Sequence, residues 1–112
     1  MDKIATYRSI LKKEFQRLAA LEFIDQPGLK HHLVINSDEA DFILLVTGWD
    51  RGEDYEYGVV YHVEIKDGKV WIHEDNTDYA IGDRLEELGI PPEDIICVYM
   101  EPDAVEKAMQ AA

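Results

Sequence analysis

Residues 57–72, YGVVYHVEIKDGKVWI, constrain the fold more than any other part of the chain. Val59, Tyr61, Val63 and Ile65 alternate with Val60, His62, Glu64 and Lys66, the period of a strand with one buried face. Asp67-Gly68 follows, the dipeptide favoured by a type I′ turn because both central residues need positive φ. A two-residue loop there makes the numbers of opposite residues sum to 135. Ile65 then faces Val70, and Val63 faces Ile72, on the core side. On the other side Glu64 faces Trp71 and His62 faces His73. A lone hairpin is marginal in water, so the rest of the chain has to cover the apolar face.

The first segment supplies a cover. Ile4, Tyr7, Leu11, Phe15 (or Glu14), Leu18 and Leu21 recur every three or four residues, one face of a helix. Lys3, Arg8, Lys12, Lys13 and Arg17 occupy the rest. Asp2 is placed to cap the N-terminus, and Gln26-Pro27-Gly28 punctuates the end. Residues 31–35 read as a strand, 36–40 as its turn, and 42–49 as a strand apolar on both faces. Residues 50–54 read as a polar loop. Beyond the hairpin, Ile81, Leu85 and Leu88 mark a second helix, ended by Gly89 with Ile90 packing back and stopped by Pro91-Pro92. Residues 95–99 read as a last strand, and Pro102 opens a short final helix. The expected order is α-β-β-β-β-α-β-α, an α+β fold with a mostly antiparallel sheet, over residues 1–112 as one domain.

Charge and composition narrow the function classes. The net charge is −13. Residues 1–30 hold six Lys or Arg against four acids, for +2, and residues 31–112 hold five against twenty, for −15. Binding to duplex DNA rests on neutralising phosphate, so direct nucleic-acid binding is not expected; such charge most commonly serves solubility, and it can also face a basic partner protein. No apolar run approaches the ~20 residues that span a bilayer, and the charged N-terminus is not a secretory signal. Cys97 is the only cysteine, which excludes an intramolecular disulfide and suits a reducing compartment. A cytoplasmic protein with no membrane contact is expected. There is no G-x-G-x-x-G, P-loop or H-E-x-x-H, and Ser9 and Ser37, the only serines, lie outside any nucleophile elbow. No cofactor and no catalytic residue are expected.

Two sharper readings of the hairpin stand beside plain ones. Opposed histidines at 62 and 73, with Glu64 as an oxygen donor, lie close enough to share a metal ion. They lack the fixed spacing of a metal motif, and histidines on a half-exposed sheet face are ordinary. The acids at 74–78 lack the glycine and the bidentate glutamate of a calcium loop, and Asn76, Thr77 or Asp78 suits the cap of the next helix better. Asp50 with Glu64-Ile65-Lys66 matches the D…(D/E)-x-K pattern of magnesium-dependent nucleases. That pattern arises often by chance, and the nuclease or phosphodiesterase is the alternative reading.

The succession Gly48-Trp49-Asp50, then residues 57–72, Asn76-Thr77-Asp78, and Leu85-Glu86-Glu87-Leu88-Gly89-Ile90-Pro91-Pro92-Glu93-Asp94-Ile95 resembles the XisI-like family. The likeness runs from about residue 2 to residue 98. It implies a small accessory protein without chemistry of its own. XisI-like proteins are controlling factors for excision of the fdxN DNA element in cyanobacteria, where a separate recombinase performs the excision alongside XisH, a nuclease-like factor. A protein partner of that kind follows, and a homo-oligomer is compatible. His62, Glu64, Trp71 and His73 on the polar hairpin face, with Trp49 and Asp50 beside the 50–56 loop, are the expected partner surface. The tail at 99–112 departs from the family pattern, which typically has His-Pro, an arginine and a Thr-x-Phe-Ala-like end. A partner that meets that tail in the family would meet a different surface here.

Overall fold

The computed structural model describes residues 2–100. Helix α1 spans Lys3–Ala19, and the Asp2 carboxylate accepts the Ile4 N–H at 3.0 Å. Tyr7, Leu11 and Phe15 are buried, and so is Glu14. The helix closes at Ala20, whose N–H bonds the Gln16 and Arg17 carbonyls, well before Gln26-Pro27-Gly28. Leu21 continues the apolar spacing but stands half exposed, without the packing that holds another turn in place.

The strands are β1 (Leu29–Ile35), β2 (Asp41–Asp50), β3 (Asp54–Lys66), β4 (Lys69–Asp75) and β5 (Ile95–Cys97), in sheet order β1-β2-β3-β4-β5. All neighbours are antiparallel except β4 and β5. Helix α2, Ile81–Glu87, crosses between that parallel pair. The architecture is therefore α+β with a mostly antiparallel sheet. β3 begins three residues before Tyr57, so the expected polar loop is a tight turn, held by the Glu53 N–H on the Asp50 carbonyl at 3.0 Å. β5 is shorter than expected. Val98 still donates to Ile72, but Met100 folds back to bond Cys97. The final helix expected from Pro102 lies outside the described residues.

Asp67 and Gly68 take φ of 53° and 75°, as the turn requires. Ile65 pairs with Val70, Glu64 with Trp71 and Val63 with Ile72, the expected register. A bulge between His62 and Val63 then shifts it, so His62 pairs with Glu74 and not with His73. Gly68→Ala should cost about 1–2 kcal/mol through the left-handed backbone alone. A Cβ there would meet Lys3 Cε at 3.4 Å, an ordinary contact. Urea unfolding of the two proteins measures it.

The cap of α2 also differs from expectation. Asp75, not Asn76, Thr77 or Asp78, accepts the Ile81 N–H at 2.9 Å, because Thr77 is turned to bond Asp75 and Tyr79. At the other end, Ile90 donates to Leu85 and Gly89 to Glu86, the paired bonds of a Schellman close. Both helices serve one core, in which Tyr7, Leu11, Phe15, Ile81, Leu85 and Ile90 join Phe42, Leu44, Tyr61, Val63, Ile65, Val70 and Ile72 from the sheet. Strand alternation puts Ile43, His62, Glu64 and Trp71 on the opposite face.

Candidate functional site

The expected surface divides into two parts of the sheet. At the hairpin, the His62 and His73 rings lie 4.8 Å apart and tilted by 37° despite the bulge. Each has its own carboxylate: His62 Nε2 meets Asp41 Oδ1 at 3.1 Å, and His73 Nε2 meets Glu64 Oε1 at 2.9 Å. The two rings thus face two acids, with one nitrogen of each already engaged. Among the described residues no three His, Cys, Asp or Glu side chains are arranged to hold a metal ion. Trp71 lies on this face as a lid, 5% exposed. Its Nε1–H donates to the Lys66 carbonyl at 2.8 Å, and the Lys66 ammonium sits 5.9 Å from the ring centroid.

Trp49 and Asp50 lie elsewhere. β2 pairs Asp41 with Glu64 at one end and Asp50 with Asp54 at the other. Asp41 and Asp50 are the two ends of the ten-residue β2, about 30 Å apart at the strand rise. Asp50 therefore cannot share an ion with Glu64 and Lys66, and the nuclease arrangement drawn from the sequence does not form. The long reach of β2 and β3 forbids it. Beside Asp50 the backbone is pinned by two glycines. A Cβ at Gly48 would sit 2.0 Å from the Gly28 carbonyl oxygen, and one at Gly28 would sit 2.1 Å from the Trp49 oxygen. Strand β1 can approach β2 that closely only without side chains, and Trp49 is held just beyond the contact.

There the hairpin of β2 and β3 carries exposed rings, of which only Tyr55 falls within the expected 50–56 loop. Trp49 packs edge-on against Tyr55, with centroids 5.4 Å apart. Trp49, Tyr55 and Tyr57 are 55%, 57% and 69% exposed. The register pairs Trp49 with Tyr55 and Thr47 with Tyr57, so strand alternation puts all three rings on one face. Asp50, Asp54 and Glu56 alternate with them. One oxygen of Asp50 is enclosed and has no hydrogen-bond partner among the described residues.

A cleft of about 530 Å³ between α1 and α2 was not foreseen. Its deep polar group is Glu14, 4% exposed, which accepts from Arg17 Nε and Nη2 at 2.9 and 2.7 Å and from Arg84 Nε at 3.2 Å. The Arg17 hydrogen bonds hold the Glu14 carboxyl below its usual range against the effect of burial, and Arg84 adds to them. Both guanidiniums are in turn made harder to deprotonate, first by their bonds to Glu14. Leu18, Leu21, Tyr61 and Ile81 give the cleft apolar walls, and Asp78 and Asp83 stand among its lining residues. With its arginines committed to Glu14 and acids beside them, the cleft is poorly suited to an anion.

The family model described as XisI protein matches residues 1–110. A crystal structure of the fdxN element excision controlling factor XisI from Anabaena variabilis is similar, with 31% identity and a TM-score of 0.68 over 86% of this chain and 91% of that one. A XisI-like protein from the same organism is similar at 27% identity and a TM-score of 0.73, over 83% and 84%. Among curated proteins there is no match.

Proposed function

The chain belongs to the XisI family, and from that premise we propose that it is a non-enzymatic controlling factor for excision of a DNA element, acting by contact with another protein. The observation that carries this reading is the 31% identity to an excision controlling factor over nearly the whole of both chains. The partner is a recombinase or a nuclease-like factor in the cytoplasm, and the chain regulates it rather than cutting DNA itself. The charge supports that division of labour. A body with five basic residues against twenty acids over residues 31–112 repels phosphate and attracts a basic protein surface.

The test is deletion of the gene in the source organism, with excision scored by amplification across the rejoined ends. Cells lacking the protein should retain the element, and a plasmid copy should restore excision. Purified protein with magnesium or manganese should leave linear and supercoiled DNA intact. Normal excision without the gene would end the controlling-factor reading, and DNA cleavage by the pure protein would end the non-enzymatic one.

A further inference from the structure

The acidic-aromatic end of β3 has an edge with no strand partner among the described residues, as well as exposed rings. β1 pairs with β2 only as far as Gly48, and β4 pairs with β3 only as far as Tyr61. Asn76 closes that junction by donating to the Val59 and Val60 carbonyls. Among the described residues no strand runs along the outer side of β3 from 54 to 58, and residues 54–57 are all exposed. An open strand edge offers unpaired N–H and C=O groups to any extended chain. Natural edges are often protected by lysine, proline or a bulge. Here the protecting side chains are all acidic.

We propose that this edge accepts an added strand from a basic partner protein, in which apolar residues alternate with lysine or arginine. The proposal rests on the protein-contact reading above and names the chemistry of that partner. Along Asp54-Tyr55-Glu56-Tyr57 the side chains alternate between carboxylates and rings. A strand added in register would lay every second side chain beside Tyr55 and Tyr57 and the others beside Asp54 and Glu56. Main-chain hydrogen bonds give such a complex its grip, and alternate side chains give it selectivity. Apolar stems pack on the tyrosine rings, guanidinium groups stack on ring faces, and ammonium or guanidinium heads meet the carboxylates.

Charge decides the occupant. Residues 49–57 hold Asp50, Glu53, Asp54 and Glu56 against Arg51 alone. A second copy pairing on the same edge would set Asp54 and Glu56 against the same acids, and like charges directly opposite destabilise a strand pair. Nucleic acid is disfavoured for the same reason. A basic strand is drawn in over roughly a Debye length.

The probe is a blocked synthetic peptide of about nine residues alternating valine and arginine, titrated into the isotope-labelled full chain and followed by amide NMR shifts. Shifts should concentrate at residues 54–58, and the affinity should fall as salt rises. A peptide of the same composition in scrambled order should bind more weakly. The double variant Asp54→Lys, Glu56→Lys should lose about tenfold or more in affinity through like-charge contact. Its fold is checked by circular dichroism, since both side chains are exposed. Equal binding of the scrambled peptide, shifts centred elsewhere, or unchanged affinity in the double variant would each overturn the proposal. So would sedimentation showing a dimer of the free chain that Glu56→Lys dissolves. Excision in cells separates the two readings. If deletion blocks excision but the double variant excises normally, the edge proposal fails and the controlling-factor reading stands. If deletion changes nothing, that reading fails and the peptide titration alone decides the edge.

Discussion

Phe42→Ala is expected to lower the unfolding free energy by about 3–5 kcal/mol, the range for truncating a buried aromatic. Phe42 is fully buried at the start of β2, a strand flanked on both sides, between Ile35 on β1 and Val63 on β3. Its ring meets Phe15 from α1 at 5.8 Å, and Phe15 in turn meets Tyr61 at 6.3 Å. These three rings tie the helix to the middle of the sheet. Removing the Phe42 ring costs its burial and leaves a cavity that the flanking strands cannot close without breaking ladder hydrogen bonds. Val34→Ala is the matched control. Val34 is half exposed on the opposite face of the same sheet, and its truncation should cost well under half as much. Urea titrations of both variants read the difference directly. A Phe42→Ala loss below about 1 kcal/mol would mean that α1 does not pack on this face.

That packing face was readable in the sequence because two periodicities agreed on it. The spacing of Tyr7, Leu11 and Phe15 and the alternation of Val63 and Ile65 each select one side, and both sides are buried together. The Asp67-Gly68 turn set the hairpin register because a two-residue loop leaves no slack. Three things were hidden. An extra residue in a strand has no signature when its neighbours are alike. The register shift between Leu44 and Leu45 falls opposite Val59, Val60 and Tyr61, and nothing in their side chains reveals that one is left over. The second bulge separated His62 from its expected pairing partner in the same way. The third was the reach of β3 toward residue 54. Asp54 and Glu56 look like loop residues, and they become strand residues only because β2 continues alongside them. The site followed the same rule. The hairpin histidines and Trp71 were placed by local pattern, whereas Asp41, which holds His62, depended on the register between distant strands.

Glu14 shows what sequence spacing leaves open, and it carries the second prediction. The helical pattern allowed either Phe15 or Glu14 on the inner face, and the structure buries both. A buried carboxylate is tolerable only when paired, and part of its pairing comes from Arg84, seventy residues away. Glu14→Gln keeps the size but removes the charge, and it should cost about 1.5–3 kcal/mol at neutral pH, the range for hydrogen bonds to a charged group. The loss should depend on pH in a defined direction. Arg17 and Arg84 hold the folded carboxyl below its ordinary value of 4.5. At pH values between the folded and unfolded pKa the unfolded chain therefore binds more protons, and stability falls as pH falls. Asp94 acts in the same sense. Burial pushes its carboxyl up, but the Tyr7 hydroxyl, Lys3 and Lys69 outweigh that and hold it below 3.8. The natural protein should be most stable above about pH 5 and lose stability on acidification through both groups. The Glu14→Gln protein should start lower and fall less steeply, because only the Asp94 contribution of this pair remains. The alkaline side has the opposite sign. Burial, with the bond to Asp94, pushes Tyr7 up to about 12 from 10.0, so the unfolded chain releases its proton first and stability falls again as pH rises above 10. Glu14→Gln should leave the Tyr7 contribution unchanged, since burial, Asp94 and Glu93 set it. Parallel acid slopes for the two proteins would place the stabilising charge somewhere other than the Glu14–Arg17–Arg84 cluster.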